Sequence, residues 1–187
     1  IDCGGANLNS IYYSFKRLGI NTVISNSKNE LSGLDAYVLP GVGSANAVMQ
    51  CLRDKSLIDF IKNITKPVLG ICIGMQIMYE YSEEGDTQCL GIIDGKIKKF
   101  KSDKSLTVPQ MGWNKLVCND DLKSLNGHYY YANSFYTDST DSAMGYTEYG
   151  VNYTSLVKKN NFIGCQFHPE KSSVSGEKFL QYFLTTA

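Results

Sequence analysis

The chain has 187 residues, of which 43% are hydrophobic and 19% charged, with 18 basic and 18 acidic side chains. This composition excludes a disordered or fibrous protein, and the charge balance argues against binding to nucleic acid, which would need a basic excess. No stretch reaches the roughly 18 apolar residues of a membrane span, and no secretory signal opens the chain. We therefore expect a single soluble, cytoplasmic domain over residues 1–187.

Strand and helix patterns alternate through the first 82 residues. Apolar residues at helical spacing predict a first helix over residues 8–18, and the opening Ile1-Asp2 is typical of the end of a strand, so we expect a few residues before it. The further predicted strands are 20–24, 36–40 and 67–71, and the further predicted helices are 47–61 and 74–81. Such alternation is typical of parallel β-α-β units with helices on both faces of the sheet.

The pattern changes after residue 91. Short runs rich in Ile, Val, Tyr and Phe, broken by Gly, Asn and Asp, predict antiparallel or mixed strands within 91–100, 114–118, 129–137, 155–158 and 162–167. A last amphipathic helix buries Phe179, Leu180, Tyr182 and Phe183. The predicted fold is α/β: a mostly parallel central sheet flanked by helices, with an antiparallel extension.

The cysteines do not form a metal-binding or disulfide pattern. Six cysteines are spread along the chain without a Cys-x-x-Cys pair, and only two histidines accompany them. Free thiols are therefore the better interpretation, and we expect neither a metal site nor a cofactor.

One cysteine lies where a predicted strand meets a predicted helix. Gly70 and Gly74 lie two residues either side of Cys72. A nucleophile on a tight strand-to-helix turn needs small neighbours, because the backbone there is strained and packs closely. The following helix offers free N–H groups, especially that of Ile73, which favour a thiolate and can stabilise an oxyanion. The alternative is a small buried core cysteine, which the flanking glycines make less favoured.

The second candidate is the segment His168-Pro169-Glu170. Pro169 disfavours helix at the preceding residue, and residues two apart in an extended chain point to the same side, so we expect His168 and Glu170 to meet. A carboxylate bonded to one imidazole nitrogen leaves the other nitrogen free to accept a thiol proton. A structural histidine at a strand end is the alternative. Taken with Cys72, the set favours a Cys-His-Glu triad.

A third candidate is the glycine turn Pro40-Gly41-Val42-Gly43-Ser44, which directly follows a predicted strand. The carboxyl ends of parallel strands share one edge of a sheet, so we expect this turn beside Cys72, where its N–H groups can complete an oxyanion site. A plain turn before a helix is the alternative.

These three pieces, in this order, resemble the class I, or triad, glutamine amidotransferases, which have a flavodoxin-like fold. Further segments narrow the resemblance to the glutaminase subunits of imidazole glycerol phosphate synthase, the HisH family. They lie at residues 5–10, 39–43, 70–76, 108–114, 129–136 and 166–172, so the resemblance spans essentially the whole chain.

The resemblance implies hydrolysis of L-glutamine to glutamate and ammonia through a thioester on Cys72. It assigns His168 as the proton carrier and Glu170 as the residue that orients it, with the oxyanion hole formed by the N–H groups of Val42 and Ile73. The positions that match those holding the glutamine backbone are Gly43, Gln76, Ser134 and Phe135.

The resemblance also implies a partner. Ammonia would pass to a cyclase with a (β/α)₈ barrel, bound as a heterodimer, which makes imidazole glycerol phosphate and AICAR in histidine biosynthesis. The residues that match the face meeting the cyclase are Asn7, Ser10, Trp113, Tyr130 and Lys171. The chain departs from the family pattern at Gln110, Ala132, Asn133 and Phe135, none of which belongs to the triad.

Three alternatives to this assignment stay open at the level of sequence. A paralogous glutaminase would feed ammonia to a sugar-modifying enzyme of surface polysaccharide synthesis. A cysteine hydrolase or redox sensor would use Cys72 differently, although the match at Gln76 and Ser134 speaks against it. A catalytically inactive scaffold is disfavoured by the intact triad.

Overall fold

The computed structural model describes residues 1–4, 7–41, 43–101, 106–138 and 140–186. The helices are α1 (Leu8–Arg17), α2 (Lys28–Leu31), α3 (Ala45–Asp54), α4 (Ile58–Lys62), α5 (Ile73–Gln76) and α6 (Ser173–Thr186), with 3₁₀ turns at Asp120–Leu125 and Pro169–Lys171. The strands are β1 (Tyr37–Leu39), β2 (Val68–Ile71), β3 (Tyr81–Ser82), β4 (Thr87–Gln88), β5 (Lys96–Lys99), β6 (Gln110–Cys118), β7 (Gly127–Asn133), β8 (Phe135–Tyr136), β9 (Ala143–Tyr149), β10 (Val151–Lys159) and β11 (Phe162–Cys165).

Seven of the described strands form the main sheet, in the order β1-β2-β11-β10-β9-β6-β7. β1, β2 and β11 run parallel, and β10, β9, β6 and β7 continue the sheet with antiparallel pairings. The predicted α/β fold with an antiparallel extension is confirmed, and the extension is longer than the sequence indicates. A second sheet has the order β4-β3-β5-β8. Its strands β3, β4 and β5 follow α5 in sequence, and β8 follows β7.

The parallel strands are short and, apart from Val38 in β1, completely buried, as expected for strands covered on both faces. All four residues of β2 and all four of β11 are buried, and the last helix adds Phe179, Leu180 and Phe183 to the same core. β2 and β11 pair in register up to Ile71 and Cys165. Both strands therefore end at the same edge of the sheet, and Cys72 and the His168 segment follow from that edge.

Three predicted elements are wrong. Residues 20–24 form no strand: the Asp2 N–H donates to the Ser25 carbonyl (2.8 Å), and one such bond does not build a ladder. The helix predicted over 47–61 divides into α3 and α4, because Ser56 is left-handed (φ 53°) and the Leu57 N–H bonds back to the Leu52 carbonyl.

The helix predicted over 74–81 ends at Gln76. The carbonyls of Ile77 and Tyr79 accept hydrogen bonds from the N–H groups of Leu90 and Gly91, both at 2.8 Å. These tertiary bonds use carbonyls that a longer helix would need. The strand β9 was not predicted at all, although Ala143–Tyr149 alternates buried and half-buried residues.

Two glycines let the ends of β1 and β2 come together. A Cβ added to Gly74 would lie 2.0 Å from the Leu39 carbonyl oxygen, and one added to Gly41 would lie 1.9 Å from the Ile71 carbonyl oxygen. Neither distance is compatible with a side chain. The backbone of the glycine turn therefore packs directly against the backbone of the Cys72 turn, as the position of both turns at one sheet edge predicts.

Substituting Gly74 tests this contact. Gly74→Ala should destabilise the fold by about 3 kcal/mol, because the Leu39 carbonyl must move to admit the methyl group. Gly33→Ala is the matched control: Gly33 has a φ of 79° and nothing within 4 Å of an added Cβ, so we expect only the roughly 1 kcal/mol cost of a left-handed residue. Urea unfolding measures both. An equal or smaller loss in Gly74→Ala would contradict the packing argument.

Candidate active site

Cys72 occupies a strained backbone position at the end of β2. Its φ is 53° and its ψ is −108°, outside the regions that L-residues normally adopt. The Cys72 N–H donates to the Cys165 carbonyl (2.8 Å), and α5 begins at the next residue. The side chain is nearly buried, with 4% of the residue exposed. Strain of this kind costs about 1–3 kcal/mol and is typical of a nucleophile held on a sharp turn.

Two buried glutamine side chains lie next to the Cys72 sulfur: Gln166 contacts the sulfur, and Gln76 contacts Gln166. The Gln166 Nε2 donates to the Cys72 Sγ (3.5 Å), and the Gln166 Oε1 accepts from the Gln76 Nε2 (2.8 Å). Gln76 and Gln166 are each 1% exposed. Gln166 is absent from the predicted site, although it precedes His168 by two residues, so the alternation that pairs His168 with Glu170 also identifies Gln166.

His168 and Glu170 meet as predicted, by a different local route. The His168 Nδ1 lies 2.8 Å from the Glu170 Oε1, and the two side chains are 6% and 1% exposed. The chain is extended only at His168, because Pro169–Lys171 forms a 3₁₀ turn in which the Lys171 N–H bonds to the His168 carbonyl. The His168 N–H donates to the Tyr130 carbonyl (2.8 Å), which fixes the turn against β7.

The charge state of His168 depends on its neighbours. Burial lowers the pKa of the imidazole, but the charge of Cys72, a hydrogen bond to Cys72 and the Glu170 carboxylate outweigh it and raise the pKa to about 10. The Cys72 and Glu170 side chains therefore favour a protonated imidazole between them. Such an arrangement can perform nucleophilic attack on a carbonyl and protonate a leaving amine.

The proposed oxyanion donors come from both turns. Ile73 follows Cys72 directly and is buried, and an added Gly41 Cβ would lie 2.4 Å from the Ile73 nitrogen, so the two turns approach at this point. Val42 lies outside the described residues. Gly43 has a φ of 117°, which favours glycine at that position.

Three of the four expected glutamine-holding residues, Gln76, Ser134 and Phe135, lie together. The Gln76 Nε2 donates to the Phe135 carbonyl (3.2 Å), and the carbonyl of the neighbouring Ser134 accepts from the Phe100 N–H (3.0 Å). The Gln76 Oε1 is buried, and among the described residues it has no hydrogen-bond partner. A buried acceptor without a donor favours a polar ligand or water at this point.

A model of the class I glutamine amidotransferase family matches residues 1–187. The chain belongs to the class I glutamine amidotransferases. Among curated proteins it is similar to the HisH subunit of imidazole glycerol phosphate synthase from Haemophilus influenzae (43% identity, covering 98% of this chain and 94% of that protein). It is also similar to the HisH of Idiomarina loihiensis (38%, covering 98% and 95%) and to the subunit HisH 2 of Campylobacter jejuni (42%, covering 98% and 95%).

Solved structures support the fold of this amidotransferase. A crystal structure of a glutamine amidotransferase has a TM-score of 0.77 at 18% identity and covers 97% of this chain and 94% of its own. A second glutamine amidotransferase, from Thermotoga maritima, has a TM-score of 0.57 at 15% identity, covering 100% of this chain and 80% of its own. At these identities the likeness concerns the fold alone.

Three residues of the expected partner face form one exposed cluster on the amidotransferase. Trp113 is 55% exposed and lies opposite Tyr130 in the β6–β7 pairing, with their ring centroids 6.4 Å apart. The Lys171 Nζ lies 5.8 Å from the centre of the Tyr130 ring. Ser10 is exposed on α1, whereas the side chain of Asn7 contacts Glu170.

Two of the four departures from the family pattern, Gln110 and Asn133, are buried in the same pair of strands that carries Trp113 and Tyr130. Gln110 and Asn133 are register partners in β6 and β7 and are 3% and 4% exposed. The Gln110 Oε1 accepts from the Tyr153 hydroxyl (2.9 Å), and the Asn133 Nδ2 donates to the Phe135 carbonyl (3.0 Å). Asn133 therefore supports Phe135 directly and Gln110 supports β10, and neither is one of the three expected triad residues.

Across the described ranges, no group of three or more His, Cys, Asp or Glu side chains is arranged to hold a metal ion. No helix in those ranges is long and apolar enough to cross a membrane. A cavity of 290 Å³ between α1 and β1 is lined mainly by apolar side chains and does not include Cys72 or His168, so we place the site at the sulfur.

The link between Cys72 and His168 can be measured by NMR. Cys72→Ser removes the charge that raises the His168 pKa, so the imidazole should titrate at a lower pH than in the parent protein. His128 supplies the other imidazole signal and identifies the His168 resonance by difference. An unchanged His168 titration in Cys72→Ser would show that the thiol is not its partner.

The same link makes stability depend on pH. The folded pKa of His168, about 10, lies above the roughly 6.5 of a free histidine. The native state therefore holds this proton more tightly, and its contribution to stability is complete below the unfolded pKa and is lost as pH rises through the folded one. His168→Gln should remove this part of the loss of stability between the unfolded and the folded pKa of His168. The free energy of unfolding, measured in urea across that pH range, checks this.

Proposed function

We propose that Cys72, His168 and Glu170 are the catalytic triad by which this amidotransferase hydrolyses L-glutamine to L-glutamate and ammonia. The observation that carries the proposal is the arrangement of three buried side chains: Cys72 and His168 follow the paired ends of β2 and β11 and interact electrostatically, and the His168 Nδ1 lies 2.8 Å from the Glu170 Oε1. The sulfur also sits on a strained turn at the sheet edge where the glycine turn meets it. Nucleophile, proton carrier and orienting carboxylate are then in place.

The reaction proceeds in two stages. The Cys72 thiolate attacks the side-chain amide carbon, and the negative charge that develops on the amide oxygen is stabilised by the N–H groups of Ile73 and Val42. His168 gives its proton to the nitrogen, the carbon–nitrogen bond breaks and ammonia leaves. Water then loses a proton to His168 and attacks the glutamyl thioester, which releases glutamate and restores the thiolate with its imidazolium.

The glutamine backbone is held beside the triad by Gly43, Gln76, Ser134 and Phe135. The support for this assignment is the unpartnered Gln76 Oε1, which can accept from the substrate ammonium, and the contact between Gln76 and the Phe135 carbonyl. Gln166 lies between Gln76 and the sulfur. A movement of Gln76 on substrate binding would therefore be transmitted to the Cys72 sulfur by the Gln166 side chain.

The acceptor of the ammonia is a cyclase with a (β/α)₈ barrel. The full-length similarity to HisH subunits of imidazole glycerol phosphate synthase supports this partner and a role in histidine biosynthesis, in which the ammonia yields imidazole glycerol phosphate and AICAR. The single domain over residues 1–187 binds the cyclase as a heterodimer in the cytoplasm. The exposed Trp113, with Tyr130 and Lys171 beside it, supplies the aromatic centre expected of such an interface.

Replacing the nucleophile tests the chemistry. Cys72→Ala should lower glutamine-dependent synthesis by the assembled enzyme about 10³-fold or more, the loss expected for a triad member. Synthesis from added ammonia should be unchanged, because the cyclase does not need the thiol. Cys89→Ala is the matched control, since Cys89 is a half-buried free thiol outside the site. Glutamine-dependent activity in Cys72→Ala would refute the assignment of the nucleophile.

Replacing the exposed tryptophan tests the partner. Trp113→Ala should weaken binding of the cyclase encoded in the same genome by about 30-fold, in line with a central aromatic hot spot of about 2 kcal/mol. Val23→Ala is the control, since Val23 is 50% exposed and lines the cavity beside β1, which is at the opposite end of the main sheet from β7. Isothermal titration calorimetry measures both. Wild-type affinity in Trp113→Ala, or no binding by the parent chain, would count against this face or this partner.

A further inference from the structure

The side chain of Asn7 contacts the triad carboxylate. Its Nδ2 donates to the Glu170 Oε1 at 2.6 Å, across 163 positions of sequence. The same oxygen lies 2.8 Å from the His168 Nδ1. Because an ionised carboxylate only accepts hydrogen bonds, it is the amide nitrogen of Asn7 that faces it. The Glu170 Oε1 is thus the hydrogen-bond acceptor for both the His168 imidazole and the Asn7 amide.

The burial of Glu170 makes this second donor important. The Glu170 side chain is 1% exposed, and its Oε2 has no partner among the described residues. A buried carboxylate that loses a hydrogen bond is costly, since water does not replace it freely. Without Asn7, the remaining described donor is His168 itself, and the carboxylate is free to turn about its side-chain bonds and carry the imidazole with it.

The Asn7 side chain bonds to Glu170 instead of capping α1. Asn7 occupies the N-cap position of α1, where an asparagine side chain normally bonds to the first turn of the helix. Here it makes no such bond, and its φ of 78° is left-handed, a conformation that asparagine tolerates better than most residues. The amide is directed to Glu170 instead.

We propose that Asn7 is a positioning residue of the triad: its amide fixes the Glu170 oxygen that orients His168. This inference rests on the glutaminase function proposed above. It also adds a role to a residue expected only at the partner face. Among the described residues, the titratable or charged groups near Glu170 include His168 on its own turn, Cys165 at the end of β11, Arg17 from α1 and Glu177 from α6, the last two lining the same 200 Å³ cavity as Glu170.

The first test removes the amide without straining the backbone. Asn7→Gly keeps a residue that adopts positive φ readily. In the complex with the cyclase, its kcat for glutamine hydrolysis should fall about 10-fold, the scale for losing an outer hydrogen-bond partner of an active-site group, with KM nearly unchanged. Thermal unfolding of the same variant should show a modest loss of stability from the missing hydrogen bond to the buried Glu170, with a single cooperative transition that shows the fold is kept. A wild-type kcat would overturn the proposal.

The second test replaces the donor by an acceptor of the same shape. In Asn7→Asp the introduced carboxylate faces Glu170. Either one of the two carboxylates is then protonated, or both are ionised and repel each other. The kcat deficit should be about 10-fold or more above roughly pH 8 and should shrink to about threefold or less near pH 5.5, where the protonated group donates to Glu170 as the amide did.

A control separates this effect from a general charge effect. Asn63→Asp makes the same change at the exposed end of α4 and should follow the wild-type pH profile. A deficit of Asn7→Asp that is the same at every pH indicates a structural role and overturns the proposal. If the wild-type complex hydrolyses no glutamine, the proposed function fails. If the wild-type complex hydrolyses glutamine and the Asn7 variants do so equally well, this inference alone fails.

Discussion

The site depends on one buried electrostatic arrangement, the imidazolium of His168 held between the Cys72 sulfur and the Glu170 carboxylate. Burial alone would discharge the imidazole, and only the two negative neighbours raise its pKa. The two neighbours therefore stabilise the imidazole in its charged form. The cost of burying them is offset only while the geometry is kept, so the surrounding fold has to be rigid.

The rigidity comes from backbone contacts rather than from side chains. Gly74 and Gly41 allow the two turns at the sheet edge to touch, and the Cys72 N–H is held by the carbonyl of Cys165 on the neighbouring strand. The His168 N–H is held by Tyr130 of β7. The antiparallel extension thus serves the site directly, because it brings β7, which carries Tyr130 of the proposed partner face, against the histidine turn.

Much of this arrangement can be predicted from local sequence. The glycines around Cys72 and the spacing of His168 and Glu170 report short-range geometry, and the alternation of apolar runs indicates the α/β class. Predictions fail where distant segments compete for the same backbone groups. Residues 20–24 have a strand-like pattern without a ladder, and the carbonyls of Ile77 and Tyr79 bond to a later loop instead of extending α5.

The sequence by itself determined the chemical types in the site, their order, and the turns that carry them, because these follow from backbone rules acting over a few residues. Only the tertiary structure decided which side chains share a proton or an oxygen. Gln166 on the sulfur and Asn7 on Glu170 are contacts across 94 and 163 positions. A hydrogen bond is a matter of tenths of an ångström, and sequence spacing carries no such distance once the chain has turned back on itself.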